Sequence, residues 1–272
     1  MSLLDVFGSI LVCLKYRESV EESVKFWLEV LVACTLLQFG GTTLTGLLLG
    51  QTPSWILSHT AFPALFIAWW LTFYSPNDIY YKLIRKTGLF GKSVLFFVGI
   101  GASISSGHAV TSWGMDKALF NTFHVNYARI GSSFLTCILS GTFAACGGGI
   151  LGEFYGFYRS KNAFTLSITP DLFTGSSPAA SVETESPTST TRSSLLKAFI
   201  CALIYYTLLN PAGYLPWKQF SVSKELGHLL ICLLLVFHYF SVEFIGINIF
   251  KYIGKFILLL LNVSPSLSFG KT

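Results

Sequence analysis

The sequence predicts an all-α integral membrane protein with seven transmembrane helices, arranged as two inverted three-helix repeats plus a seventh helix, with kinked second and fifth helices. Three observations lead there: a deficit of charge, a succession of apolar windows, and a lopsided distribution of lysine and arginine among the loops. Of 272 residues, 52% are hydrophobic and only 11% charged, and the mean hydropathy is +0.62. A soluble domain carries about 25% charged residues, because its surface must face water. The exterior of this chain must therefore face something apolar.

A spanning helix needs roughly 20 mostly apolar residues, since charge is costly in hydrocarbon. The first window, about 3–16, is short and carries Asp5. It has no basic stretch ahead of it, so it reads as a span and not as a signal peptide. From Val30 to Asn77 no residue is charged, and Gln51-Thr52-Pro53-Ser54 divides that stretch into spans of about 26–50 and 54–74. Later windows cover about 91–110, 130–157, 195–215 and 226–247. Residues 161–194 are dominated by Ser, Thr and Pro and read as a disordered tether between the fifth and sixth spans. The apolar piece Phe256 to Leu261 is too short to cross and is expected along the interface. Residues 1–262 thus form one transmembrane domain: repeat one over about 3–74, repeat two over about 91–215 around the tether, and the seventh helix over about 226–247. Residues 263–272 are a short tail.

With seven spans the loops alternate between two sides. Fourteen of the 18 lysines and arginines then fall on one side, among them Lys15, Arg17, Lys82, Arg85, Lys92, Lys197 and Lys251; Lys117, Arg129, Lys218 and Lys224 fall on the other. Basic residues collect on the cytosolic side of a membrane. The C-terminus and the tether are expected there, and the N-terminus on the luminal or external side.

The net charge of +5, with no basic run longer than Arg85-Lys86, excludes a nucleic-acid partner on composition. The six cysteines (Cys13, Cys34, Cys137, Cys146, Cys201 and Cys232) all lie in apolar stretches, with neither the spacing of a metal site nor the context of a disulfide framework. Histidines are scattered; His228 and His238, ten residues apart, point roughly 80° apart around a helix and share no ligand face. There is no Walker A, HExxH or GxSxG motif, and no helix repeats arginine at every third position. Neither an enzyme nor a voltage sensor is predicted, and no cofactor is expected.

Two glycine clusters stand out. Gln38-Phe39-Gly40-Gly41-Thr42-Thr43 lies in span two, and Ala145-Cys146-Gly147-Gly148-Gly149-Ile150 in span five. A glycine inside a helix costs about 1 kcal/mol relative to alanine, so adjacent ones in mid-span need a reason. One is close helix packing, for which membranes use small residues. The other is a kink or local unwinding that turns carbonyls toward a water-filled path. Spans two and five are each the middle of a three-helix set, and two successive odd-numbered sets must lie inverted in the bilayer. Inverted repeats with broken middle helices place permeation sites near the midplane between the halves. Glu153, one turn after the second cluster, is a candidate to draw cations to a pore mouth.

These residues resemble the trimeric intracellular cation channel (TRIC) family. Leu4-Asp5-Val6 followed by Lys15-Tyr16-Arg17 is similar to the family's first span and the basic loop after it. Phe39-Gly40-Gly41 with Leu47-Leu48-Leu49 resembles its second span, and Trp70 to Phe73 followed by Ser75-Pro76-Asn77-Asp78 its third-span ending. Gly141 and Gly147-Gly148 fall at the spacing of its span-five glycines. The resemblance implies a homotrimer in the endoplasmic or sarcoplasmic reticulum membrane, each protomer holding a potassium-permeable pore that balances charge during calcium release. It also implies an inositol phospholipid held by a Lys-x-x-x-Arg pair in span four. Here Lys92 stands at the lysine position but Phe96 at that of the arginine, and Ala144 replaces a span-five arginine.

The function expected is therefore a monovalent cation channel. Its pore and hinge residues would be Gly40, Gly41, Thr42, Thr43, Gly147, Gly148, Gly149 and Glu153, with Lys92 toward lipid and potassium and membrane lipids as partners. A secondary transporter of a small solute, built on the same inverted repeat, is the alternative. A lipid-modifying membrane enzyme is the third reading, without a nucleophile–base or metal constellation to support it.

Overall fold

The computed structural model describes residues 3–19, 26–86, 88–120, 133–154, 188–209, 222–250 and 252–253, and almost all of them are helical. Each predicted span coincides with a helix: α1 (Leu3–Ser19), α2 (Trp27–Leu49), α4 (Ala61–Tyr74), α6 (Gly88–His108), α8 (Phe134–Phe154), α9 (Thr188–Leu209) and α10 (Lys224–Phe240). Between them lie the single turn α3 (Ser54–Leu57), the amphipathic α5 (Ile79–Lys86) and the short α7 (Asp116–Leu119). Four helical runs are long and apolar enough to cross a membrane by length and composition: Trp27–Leu49, Gly91–Leu119, Phe134–Leu151 and Lys224–Ile245.

Local sequence explains most of the ends. Gly50 closes α2 in the left-handed conformation (φ 64°), and the N–H of Gln51 reaches back to the Gly46 carbonyl at 2.8 Å. Span three does not start at residue 54 as expected. Helix α3 ends at Leu57, and the Ser58 hydroxyl accepts from the Ala61 N–H at 3.2 Å to cap a fresh helix. Pro63 sits in the first turn of that helix, where a missing N–H costs nothing. The Ser133 and Ser223 hydroxyls cap α8 and α10 in the same way. Helix α9 begins at Thr188, inside the stretch read as a tether; residues 161–187 and Phe256 to Leu261 lie outside the described residues.

Span four is where the sequence reading falls short. The loop expected from Val110 is helical to Leu119: α6 runs into a π-helical stretch, Ala109–Met115, and then α7. Asp116 and Lys117 marked this segment as a loop. Asp116 is in fact buried, accepting from the Tyr205 hydroxyl at 2.9 Å and lying 3.1 Å from the Lys224 ammonium. The ammonium stands off the hydrogen-bonding direction of that oxygen, so this contact is electrostatic. The π-helical stretch also brings Gly114 so close to α8 that a Cβ there would lie 2.5 Å from the Gly141 Cα. Lys197, sorted with the cytosolic loop cations, is likewise inside: it is 2% exposed on α9.

Two cores organise the packing. Helices α1, α2 and α4 share one core, around Tyr16, Cys34, Leu65 and Trp69. Most of a second core, around Met115, Ile138, Tyr205 and Ile231, comes from the π-helical stretch, α8, α9 and α10. The halves meet like on like. The middle helices α2 and α8 make the most extensive contact among the described helices, and the first helices α1 and α6 pack beside them. Large apolar side chains such as Leu47, Phe97, Leu233 and Phe237 are exposed on the outside, where lipid would take the place of water.

The two sequence segments flanking the first core close on each other. Arg17, at the end of α1, donates to the Thr72 carbonyl and pairs with Asp78 at 2.6 Å, its guanidinium 4.2 Å from the Tyr81 ring centroid. Asn77 and Asp78 adopt left-handed backbone conformations (φ 51° and 60°), which short polar side chains tolerate best. The hydrogen bond from Arg17 holds the Asp78 carboxyl below the usual carboxylate range; burial opposes it, and the charges of Arg17 and Lys82 add to it. A carboxyl with a lowered folded-state pKa stabilises the fold above its unfolded value, near pH 3.9, and the benefit is lost as pH falls through the folded value. Asp78→Asn should thus lower the melting temperature at neutral pH, with the gap to wild type closing below about pH 4. A gap that persists at acid pH would assign the effect to turn geometry instead of charge.

Candidate functional site

The glycine clusters are not separate features; they cross each other. A Cβ on Gly40 would lie 2.9 Å from the Gly148 Cα, and one on Gly147 would lie 2.8 Å from the Gly41 Cα. A Cβ on Gly41 would run into the Ala144 carbonyl, and one on Gly148 into the Leu37 carbonyl. At this crossing only hydrogen fits between two backbones. Helical hydrogen bonding continues without interruption through both clusters, so the local unwinding considered for them is not part of the structure. Close packing is what these glycines provide.

Beside the crossing lies a partly open cavity of about 70 Å³, lined by α1, α2, α6, α8 and the π-helical stretch. A water needs about 10–15 Å³ measured this way, so several fit. The polar atoms come from Gln38, Thr42, Ser105, Ser106 and Trp113, and no charged side chain lines the wall. Such a lining can solvate a permeating ion through neutral oxygens without trapping it by a fixed countercharge. Gly8 permits the lining to form, since a Cβ there would lie 2.9 Å from the Gln38 amide nitrogen.

The residues singled out from sequence divide into three groups. Gly41, Thr42, Gly148 and Gly149 line the cavity, while Gly40 and Gly147 complete the crossing behind it. The Thr42 hydroxyl donates to the Phe39 carbonyl at 3.0 Å, leaving its lone pairs free to face the cavity. Thr43 faces elsewhere: it donates to the same carbonyl at 2.9 Å and accepts from the Trp55 indole, also at 2.9 Å. Glu153 lies in the last turn of α8, with its side chain outside the described residues.

Lys92 is exposed in the second turn of α6, away from the cavity. Phe96, at the position of the expected arginine, packs among Tyr239, Phe240 and Phe244 at centroid distances of 6.0, 5.3 and 5.8 Å. An aromatic cluster thus stands where the resemblance placed an arginine. Ala144, at the position of the other expected arginine, forms part of the cavity wall.

Sequence reasoning missed Gly8, Ser105, Ser106 and Trp113. The serines carry no signal by themselves, and Trp113 sat in the supposed loop. It also missed the meeting of His108 and His228, which are brought together from α6 and α10.

Comparison with known proteins agrees with this geometry. The family model described as TRIC channel matches residues 18–111. Among solved structures, the fold matches that of a trimeric intracellular cation channel from C. elegans with bound Ca2+, at a TM-score of 0.60 and 21% identity, covering 89% of this chain and 90% of that one. The same channel in the absence of Ca2+ matches at 0.60 and 18%, covering 92% and 93%. A further structure, described as the structural basis for activity of TRIC counter-ion channels in calcium release, matches at 0.54 and 16%, covering 89% and 95%. No curated protein sequence matches the chain. The chain therefore has the fold of the TRIC channels over nearly its whole length, and a sequence likeness to the family over residues 18–111.

Proposed function

We propose that this chain is a divergent TRIC-family channel: a homotrimer whose protomers each conduct potassium through the cavity beside the α2–α8 crossing. The observation that carries the reading is the position of that cavity. It lies between the two halves of the fold, at the centre of the bundle, with a neutral polar wall. Permeation sites of inverted-repeat membrane proteins lie at this kind of interface. The lopsided loop charge supports a cytosolic C-terminus and a luminal N-terminus in the endoplasmic or sarcoplasmic reticulum membrane. There the channel would carry the counter-current that offsets calcium release. It acts without a cofactor and is a conductor, not an enzyme. Lys92 remains exposed and able to meet anionic headgroups, but Phe96 offers a phosphoinositide no second cationic ligand.

Reconstitution into liposomes loaded with potassium tests this directly. The channel reading expects rapid, non-saturating potassium efflux on collapse of the membrane potential, and unitary current steps when the same protein is placed in a planar bilayer. Saturable uptake without unitary steps would make the fold a transporter instead.

A further inference from the structure

Helices α6 and α10 bring together two histidines 120 residues apart in sequence. Nδ1 of His108 lies 3.1 Å from Nε2 of His228, with the ring centroids 4.8 Å apart. Both rings are half-buried. Trp113 stands edge-on to His108 at 5.1 Å and also lines the cavity, which places the pair just behind the cavity wall.

Two imidazole nitrogens this close need something between them. A proton suffices in the neutral pair, one ring donating and the other accepting. The same spacing suits a shared metal ion. With metal–nitrogen bonds of about 2.0–2.1 Å, two ligands at right-angled or tetrahedral positions hold their nitrogens about 3 Å apart. The charged groups at this end are Asp116 and Lys117, on the run that continues α6, and Lys224 and Glu225, in the first turn of α10; of these, Asp116 and Lys224 approach each other. They pair with each other at 3.1 Å and leave little net repulsion for an arriving cation.

We propose that His108 and His228 form a binding site for a borderline-soft divalent transition metal, of which Zn2+ is the simplest probe, clamping α6 to α10 with water completing the coordination. Imidazole suits zinc, nickel and copper, whereas calcium and magnesium take oxygen ligands. The site is independent of the channel reading, since occupancy is measured without any current.

The test is calorimetric titration of Zn2+ into the purified full-length protein with its affinity tag removed, alongside His108→Gln and His228→Gln. Melting curves taken without metal establish that each variant is folded. One zinc per protomer is expected for wild type, with binding weakened at least about tenfold in each variant and no equivalent binding of Ca2+. Equal zinc affinity in wild type and variants, or no zinc binding by wild type, overturns the proposal. If His108→Gln does not fold, His228→Gln alone decides the comparison.

Discussion

Gly148→Ala lowers the stability of the protein by about 1–3 kcal/mol, the usual cost of forcing an added carbon into a packed site. The site offers no way to absorb the change. The new Cβ would meet the Leu37 carbonyl, which is helix backbone and cannot swing aside as a side-chain tip would. Helices α2 and α8 must then separate, and the cavity wall with them. Leucine at Gly41 goes further, because its Cβ faces the carbonyls of Phe143 and Ala144 together. Gly41→Leu is expected to abolish potassium current while the chain still inserts, since insertion depends on the hydrophobicity of the span and not on its packing. Melting temperature in detergent and current in a bilayer are the two readouts. Leu47→Ala, on the exposed face of the same helix, serves as the control and should leave the current unchanged. Wild-type melting and current in both glycine variants would mean that the crossing has slack the structure does not show.

The fold was legible where its cause is local. A run of apolar residues long enough to cross a bilayer identifies a helix whatever surrounds it, which is why the apolar windows are helical wherever the structure describes them, apart from the break at Ser58 to Thr60. Boundaries were less legible, because they depend on partners elsewhere in the chain. Asp116 and Lys117 look like loop residues until Tyr205 and Lys224, from two later helices, supply the partners that make Asp116 tolerable inside. The burial of Lys197 was illegible in the same way: a lysine at the edge of an apolar window reads as a loop residue, yet α9 starts seven residues earlier than expected and the side chain is buried on it.

The candidate site shows the same division. The glycine clusters were visible as helix-interior residues with no intrinsic reason to be there, and their places in corresponding spans already hinted that they belong together. That they touch is a tertiary fact, produced by the two halves meeting through equivalent helices. In the structure the helices continue through both clusters and pack closely, with a cavity beside the crossing. The other cavity residues, Ser105 and Ser106 above all, were unreadable because a serine in a helix is as often turned toward its own backbone as toward a ligand. His108 and His228 lay too far apart in sequence for any spacing rule to join them.

The central claim is that potassium passes through the uncharged cavity beside the crossing, and charge placed at Gln38 tests it most directly. Gln38 contributes its amide to the wall from α2, in contact range of the small residue Gly8. Lysine has a similar length and puts a positive charge in the cavity; glutamate keeps the shape of glutamine and puts a negative one there. At the low effective dielectric of such a site, a like charge within about 4 Å of a passing cation opposes it by several kcal/mol. Single-channel recordings in symmetrical potassium should show unitary current reduced at least about tenfold in Gln38→Lys, since 1.4 kcal/mol of added barrier already costs that factor, and retained in Gln38→Glu. Equal, undiminished currents in both folded variants would place the ion's route elsewhere in the trimer.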